Sequence, residues 1–307
     1  MSSLIIGVDG GGSKTTAILA MGDGTILGRG QAGPSNYHAI GVGAALEALD
    51  RAIACAFENA GIAAEPIDAL ALGLAGMGRP ADRAIFEAWA KRSYPQARLK
   101  LVNDAEILLA AGTPDGWGIA IIAGTGSLIF GQTSDGRTAR AGGWGYRMGD
   151  EGSGYAAGLA ALQAVARAWD GRGEQTNLTE RLLNHFGVAV PPDLIAEVYQ
   201  DTIGRPEIAA LARYVDLAAE DGDAVAGAIL QSSAGELSLG AKAVMTQLKL
   251  KGDIPAALGG GYVTGGRLLQ QFLQESAVQR GVHLRPVTPV VEPALGAVKL
   301  ASALYNL

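Results

Sequence analysis

The chain begins with short apolar runs separated by glycine-rich turns, a pattern typical of β-hairpins. Leu4 to Val8 forms an apolar run expected of a core strand, and Thr15 to Met21 alternates β-branched residues with others. A third strand is predicted over Thr25 to Gly30, after a turn at Gly22 to Gly24. The pattern therefore predicts strand, glycine turn, strand, turn and strand.

Apolar residues at three- and four-residue spacing then predict helices between further strands. The predicted elements, in order, are a helix from Gly41 to Gly61, a strand at Ile67 to Leu74, a helix at Ala81 to Ser93, a strand at Leu99 to Val102 and a helix at Ala105 to Ala111. Strands that alternate with helices in this way predict an α/β fold.

The next segment repeats the beginning of the chain. A strand at Gly118 to Ala123 leads into the turn Gly124 to Ser127, and two more strands follow at Leu128 to Thr133 and Arg137 to Ala141. The turn GTGS aligns with GGGS of the first hairpin, and SDGR aligns with GDGT. Two unrelated hairpins are the alternative, but the shared order favours a duplicated unit.

The rest of the chain is predicted to be mainly helical up to residue 251. The predicted helices are Ala156 to Trp169, Leu178 to Phe186, Leu194 to Ile203, Ile208 to Ala219 and Ala224 to Leu250, followed by a strand at Ala256 to Leu258, a helix at Gly265 to Gln279, a strand at Leu284 to Val291 and a closing helix at Ala294 to Tyr305. The long helix from Ala224 could cover the core of a second domain or a dimer face, so a homodimer stays open.

Composition narrows the class of protein. The 307 residues are 49% hydrophobic, enough for two cores, and the 45 glycines fall at strand ends and not in one block. With 24 basic and 30 acidic residues, a net charge of −6 and no basic run, nucleic acid and anionic membranes are disfavoured as partners. No apolar run reaches the roughly 18 residues that a membrane span needs, and no basic region precedes the first one, so we expect a cytoplasmic protein.

The first glycine turn suits an anion. Phosphate loops of the GxxxxGK[ST] and GxGxxG kinds need a helix directly after the turn, whereas residues 10–14 here lead into a strand. A hairpin tip without Cβ atoms can adopt φ > 0 and turn consecutive N–H groups toward an anion. Asp9, at the end of the first strand, is placed to hold a hydrated Mg²⁺. A tight hairpin with no ligand is the alternative.

Two further stretches could carry chemistry. Asp104 follows a strand, where a carboxylate can reach a cleft and accept the proton of an attacking hydroxyl, although it could equally cap the next helix. Residues 142–154 combine six glycines with Trp144 and the pair Asp150 and Glu151, which suits a sugar-binding loop, although the acidic pair could cap a helix instead. Asn36 could add an amide to the same ligand.

These motifs together resemble a known family. The stretches GVDGGGSKT, GPSN, Asn103-Asp104, AGTGS, GGWGYRMGDEGSGY and LGGG resemble the N-acetylglucosamine and glucosamine kinase group of the BadF/BadG/BcrA/BcrD ATPase family, within the actin-like ATPase superfamily. The resemblance covers nearly the whole chain. It implies two ribonuclease-H-like lobes with a central cleft, one of residues 1–114 completed by helix 292–307, the other of residues 115–291 with a helical insertion.

The resemblance also implies roles for single residues, with ATP and Mg²⁺ as the nucleotide and metal. It places Gly11, Gly12, Ser13 and Lys14 near the β- and γ-phosphates, Thr125, Gly126 and Ser127 in a second phosphate turn, Gly260 and Gly261 at the adenosine, Asn36, Asp104, Trp144, Gly145 and Asp150 at the sugar, and Asp104 as the base.

The expected activity is ATP-dependent phosphorylation of the C6 hydroxyl of N-acetylglucosamine or glucosamine. An ATPase subunit or activator of the benzoyl-CoA reductase or hydroxyacyl-CoA dehydratase type is one alternative. Cys55, the single cysteine, disfavours the iron–sulfur activators of that type. The other alternative is a sugar sensor that binds without catalysis, although no basic helix-turn-helix segment is present.

Overall fold

The computed structural model describes residues 3–77 and 79–306 and divides into two compact units. Unit 1 runs to Trp117 and resumes at Val290, and unit 2 spans Gly118–Pro289. The boundaries expected from the sequence, after residues 114 and 291, lie within a few residues of these. The difference arises because β6 begins only at Gly118 and β10 ends at Pro289.

Unit 1 is built on a five-stranded sheet. Its elements up to Trp117 are β1 (Leu4–Gly10), β2 (Thr15–Met21), β3 (Ile26–Ala32), α1 (Tyr37–Ile40), α2 (Val42–Ala60), β4 (Ala69–Leu74), α3 (Pro80–Ser93), β5 (Arg98–Asn103) and α4 (Asp104–Gly112). The strand order is β3-β2-β1-β4-β5. β1 pairs antiparallel with β2 and parallel with β4, which in turn pairs parallel with β5.

Unit 2 repeats this topology with more helices. Its elements are β6 (Gly118–Ala123), β7 (Ser127–Gln132), β8 (Thr138–Gly142), α5 (Gly154–Trp169), α6 (Leu178–Phe186), α7 (Leu194–Val198), α8 (Arg205–Ala210), α9 (Ala212–Glu220), α10 (Ala224–Leu248), β9 (Asp253–Gly259), α11 (Gly261–Gly265), α12 (Arg267–Gln279) and β10 (His283–Pro289). Its strand order, β8-β7-β6-β9-β10, matches that of unit 1 element for element. The predicted α/β fold with a duplicated sheet is confirmed.

A last helix, α13 (Ala294–Tyr305), belongs to unit 1. Side chains of β1 alternate between two apolar layers, so that Ile6 packs with α2 and α3 while Ile5 packs with α4 and α13. Contact with α13 is close, because a Cβ at Gly7 would lie 2.7 Å from the carbonyl carbon of Ala297. Arg98 also donates to the carbonyl oxygens of Leu304 and Tyr305, at 2.9 and 3.0 Å.

Several predicted helices differ from the observed ones. The helix predicted from Leu194 to Ile203 ends at Val198, and the one predicted from Ile208 to Ala219 is divided at Leu211 into α8 and α9. The short helix α1 was not predicted. Within the described ranges, none of the helices combines the length and apolar content needed to cross a bilayer.

Candidate functional site

The first hairpin tip comprises residues 11–14, between β1 and β2. The Gly11 N–H donates to the Lys14 carbonyl at 3.0 Å and closes the turn. Gly10, Gly11 and Gly12 all have φ outside the left-handed region, so the expected φ > 0 is not what requires glycine here. A Cβ at Gly10 would lie 2.5 Å from Leu74, whereas a Cβ at Gly12 would meet nothing within 4 Å. Gly12 therefore leaves space at an exposed tip that no described residue fills.

The loop after β3 is tied to this tip by its backbone. The N–H groups of Ser35 and Asn36 donate to the Gly11 carbonyl at 3.1 and 3.3 Å. The Asn36 side-chain oxygen accepts from the His38 N–H at 3.2 Å and caps α1. Among the hydrogen bonds of the described residues, none uses the Asn36 side-chain nitrogen as donor. The structure thus brings Asn36 beside the first glycine turn with a free amide donor.

Asp9 is the penultimate residue of β1, next to the tip, and is paired in register with Thr16 and Gly73. Burial raises the pKa of Asp9 to about 6, the Asp104 carboxylate adds to the rise, and the Lys14 ammonium lowers it. The two carboxylates and the lysine are therefore close enough to interact. Sequence analysis predicted each of them separately, and the structure brings them together.

Asp104 is the first residue of α4, and Asn103 caps that helix instead. The Asn103 side-chain oxygen accepts from the Glu106 N–H at 2.8 Å, while the Glu106 carboxylate accepts from the Asn103 N–H at 3.1 Å. The alternative in which Asp104 serves as the cap is therefore wrong. Its carboxylate accepts the Ala105 N–H at 3.0 Å, and burial raises its pKa. A carboxylate with a raised pKa is suited to accept a proton.

In unit 2, the second hairpin tip is one residue shorter than expected. The Gly124 N–H donates to the Gly126 carbonyl at 2.9 Å, and Thr125 is exposed between them. Ser127 already belongs to β7, pairs with Ala123, and donates its hydroxyl to the Glu151 carbonyl at 2.6 Å. Its hydroxyl is thus engaged inside the unit, and a phosphate contact by Ser127 stays a prediction.

The third glycine cluster packs directly on this second tip. Gly260 has φ 88°, and a Cβ there would lie 2.8 Å from the Gly124 nitrogen. A Cβ at Gly261 would meet nothing within 4 Å. The Gly154 N–H, at the start of α5, donates to the Gly124 carbonyl at 2.7 Å. The structure therefore brings the second turn, the third glycine cluster and the N-terminus of α5 together.

Asp150 joins the same group and has an unusual backbone. It is a buried residue with φ 61°, a conformation that a non-glycine residue adopts only where its surroundings hold it. Its carboxylate accepts a hydrogen bond from the Arg205 guanidinium at 3.0 Å. It also accepts a longer one, at 3.4 Å, from the Ser127 N–H. Arg205 also lies 4.6 Å from the centre of the Tyr146 ring. Sequence analysis missed Arg205, because no local pattern links two residues so far apart.

Trp144 and Gly145 lie in the exposed loop after β8. The Trp144 side chain is 63% exposed, with the Arg140 guanidinium 5.4 Å from its ring centre. Gly145 has φ 79°, which explains the glycine there. The structure leaves both residues accessible, and a sugar contact by either stays a prediction.

The described residues include no group of three or more histidine, cysteine, aspartate or glutamate side chains that could hold a metal ion. Mg²⁺ in nucleotide sites is commonly held by one or two carboxylates, water and the phosphates, and not by a cage of protein ligands. Asp9, partly buried with a second carboxylate near it, fits that kind of site. A bound cation would also offset the repulsion between the two carboxylates.

The duplicated sheet with a glycine-tipped hairpin in each copy defines a protein with the actin-like ATPase fold. More narrowly, the chain belongs to the BadF/BadG/BcrA/BcrD ATPase family, whose model matches residues 6–301. The family expected from the motifs is confirmed.

Three similar proteins cover almost the whole chain. An N-acetylmuramic acid/N-acetylglucosamine kinase of Clostridium acetobutylicum is 34% identical, with 97% of each chain covered. An N-acetyl-D-glucosamine kinase of Dictyostelium discoideum is 29% identical, also with 97% of each chain covered. A structure from Chromobacterium violaceum that carries the provisional name N-acetylglucosamine kinase is 30% identical, with a TM-score of 0.76 over 98% of this chain and 99% of its own.

Proposed function

We propose that this protein is an ATP-dependent amino-sugar kinase that transfers the γ-phosphoryl group to the C6 hydroxyl of N-acetylglucosamine or glucosamine. The names of the two curated relatives support a sugar substrate with a nitrogen at C2. The observation that carries the proposal is Asp104, a buried carboxylate with a raised pKa that is not needed as the helix cap.

In the proposed reaction, Asp104 accepts the proton of the C6 hydroxyl while that oxygen forms a bond to the γ-phosphorus. The bond from the γ-phosphorus to the β–γ bridging oxygen breaks, and ADP leaves. The backbone of Gly11 and Gly12, with Ser13 and Lys14, positions the phosphates. Mg²⁺ held through water by Asp9 supplies charge neutralisation on the phosphate oxygens when it is bound.

The remaining assignments concern the second turn, the third glycine cluster and the sugar. In the proposal, Thr125 and Gly126 of the second turn make a further phosphate contact, and Gly260 and Gly261 let the adenosine approach the backbone. Asn36, Trp144, Gly145 and Asp150 are proposed to bind the sugar. The free amide donor of Asn36 and the exposed face of Trp144 suit hydroxyl groups and a sugar ring.

The test is a panel of N-acetylglucosamine, glucosamine, N-acetylmuramic acid, N-acetylmannosamine and glucose, with ADP release and sugar 6-phosphate measured for each. We expect one or both of the first two sugars to give the highest kcat/KM. ATP hydrolysis that is indifferent to every sugar would instead support an ATPase subunit. Sugar binding without turnover would support a sensor.

Replacing the base gives the sharper test. Asp104→Asn keeps the shape of the side chain but cannot accept the proton, so kcat should fall by about 10²- to 10⁴-fold. Asp115→Asn, an exposed aspartate of the same unit, is the matched control and should keep its activity. Turnover of Asp104→Asn close to the unmodified rate would show that Asp104 is not the base.

A further inference from the structure

A cavity of about 600 Å³ in unit 2 lies against the second glycine turn. Gly124 and Thr125 line it from the turn, and Gly261 lines it from the third glycine cluster. Its wall along α8 and α9 is largely apolar and includes Pro206 and Leu217. Such a cavity, apolar on one wall and next to a phosphate-binding turn, fits a nucleoside better than a sugar.

Two carboxylates line this cavity, the exposed Glu220 and the partly buried Asp216, and only Asp216 has a buried oxygen without a partner. Asp216, on α9, has a buried Oδ1 atom that makes no hydrogen bond. Among the hydrogen bonds of the described residues, none reaches its other oxygen either. A buried polar atom without a partner is costly, and native proteins rarely keep one without a reason. Burial raises the pKa of Asp216 to about 7, and the Glu220 carboxylate adds to the rise.

A purely structural role for Asp216 is not supported by its contacts. The carboxylate lies against Gly266, where a Cβ would be 2.8 Å from Oδ1. Gly266 is the N-cap residue of α12, so Asp216 could have bonded the first N–H groups of that helix. However, the Gly266 N–H donates to the Tyr262 carbonyl at 3.2 Å, and no described hydrogen bond joins α12 to Asp216. The carboxylate faces the cavity with no described hydrogen-bond partner in the protein.

We propose that Asp216 binds the 2′- and 3′-hydroxyls of the ATP ribose and makes the enzyme prefer ribonucleotides to deoxyribonucleotides. The two oxygens of a carboxylate match the two neighbouring hydroxyls of a ribose, which can donate to both. The apolar wall is then free for the base, and the second turn for the phosphates. This inference rests on the proposed function, because it takes ATP as the nucleotide.

The test compares ATP with 2′-deoxy-ATP and 3′-deoxy-ATP as phosphoryl donors. We expect the unmodified protein to have a KM for ATP about 10- to 100-fold below that for 2′-deoxy-ATP, the range for a hydrogen bond to a charged group. Asp216→Ala should raise the KM for ATP toward that for 2′-deoxy-ATP. The KM for the amino sugar should change less than about twofold, which separates loss of a ribose contact from general damage.

Two further variants keep the test decisive. Asp216→Asn preserves the side-chain shape and should lower the ATP preference several-fold, even if the alanine variant folds poorly. Glu275→Gln changes an exposed carboxylate of the same unit that does not line the cavity, and it should leave the preference intact. An equal ATP to 2′-deoxy-ATP ratio in Asp216→Asn and the unmodified protein would overturn the proposal.

Failure of the proposed function would look different. In that case no nucleotide would phosphorylate any sugar of the panel. Calorimetric titration of the unmodified protein and Asp216→Asn with ATP and 2′-deoxy-ATP would still measure the ribose preference directly. Equal affinity for the two nucleotides in the unmodified protein would then reject the role of Asp216 by itself.

Discussion

At the scale of single residues, Asp9 carries a charge near neutral pH although its buried surroundings disfavour the charged form. Its pKa of about 6 lies above the ordinary value of 3.8, so the folded protein binds a proton more tightly at this site than the unfolded chain does. The contribution of Asp9 to folding stability therefore falls as the pH rises from about 4 to above 6, where Asp9 must be charged in both states. The charged Asp9 side chain therefore lowers the stability of the fold near neutral pH.

Removing this charge should stabilise the protein at higher pH. We expect Asp9→Asn to raise the free energy of unfolding at pH 8 by about 1 to 3 kcal/mol, the upper limit being the full pKa difference and solvent access lowering it. Near pH 4 the gain should be much smaller. Urea unfolding at both pH values measures this, with Asp115→Asn as the exposed control. A gain of equal size at both pH values would contradict a charge effect.

The sequence contained part of the information needed at this scale. Asn103 and Glu106 have the spacing of a capping box. The role of Asn103 as the helix cap could therefore have been predicted, and the cap role for Asp104 could have been excluded. Asp216 could not have been found in this way. Its importance depends on a cavity formed by α8, α9, α11 and a distant turn, and no local pattern encodes that arrangement.

At the scale of elements, glycines of the same hairpin serve different purposes. Gly7, within β1, lets the backbone of α13 approach, whereas a Cβ added to Gly12, at the tip, would meet nothing within 4 Å. The strand glycine therefore supports packing. The tip glycine has no such use, which is expected where a ligand comes close to the backbone.

Alanine at these two positions should separate stability from binding. Gly7→Ala should cost about 2 kcal/mol or more, because its methyl group would collide with the α13 backbone. Gly12→Ala should leave the free energy of unfolding within about 0.5 kcal/mol and raise the KM for ATP about tenfold or more. Urea unfolding and steady-state kinetics measure the two effects. A Gly12→Ala variant with unchanged KM would argue against the phosphate role of the tip.

Strands were easier to predict than helices at this scale. β1, β4, β6 and β9 are buried, and apolar runs that end in glycine mark most of them in the sequence. The division at Leu211 leaves no such mark, because Leu211 is itself buried and keeps the helical spacing of its neighbours. Where a helix bends or stops inside a periodic stretch depends on what it packs against.

At the scale of the whole molecule, the chain contains one sheet topology twice. The match of GTGS with GGGS was visible in the sequence, and the two strand orders agree with it. The strand pairing shows that the two hairpin loops differ in length, which the aligned sequences do not show. Four residues join β1 to β2, and three join β6 to β7. Ser127 is therefore a strand residue, although its letter aligns with Ser13 of the tip.

Unit 1 depends on a helix from the other end of the chain. Ala297 is fully buried against the sheet, while Ala303 on the same helix is exposed. Ala297→Glu should therefore bury an unpaired charge and destabilise unit 1 by several kcal/mol, whereas Ala303→Glu should have little effect.

Hydrogen exchange resolved by segment provides the measurement for this pair. Protection in β1 and β4 should fall strongly in Ala297→Glu, and protection in β6 and β9 should fall less. Equal loss in both sets of strands, or none in either, would contradict the assignment of α13 to the stability of unit 1. Ala303→Glu reports the effect of adding a carboxylate to the helix surface alone.

The late position of α13 in the chain also sets an order of events during synthesis. A ribosome that adds 5–20 residues per second needs roughly 10 to 30 seconds to make Gly118–Pro289, and only then produces α13. During that interval the nascent sheet of unit 1 lacks the cover over Ile5 and Ala71. We therefore expect unit 2 to complete its folding before unit 1. We also expect chaperones to bind the nascent amino-terminal part of unit 1 until α13 is made.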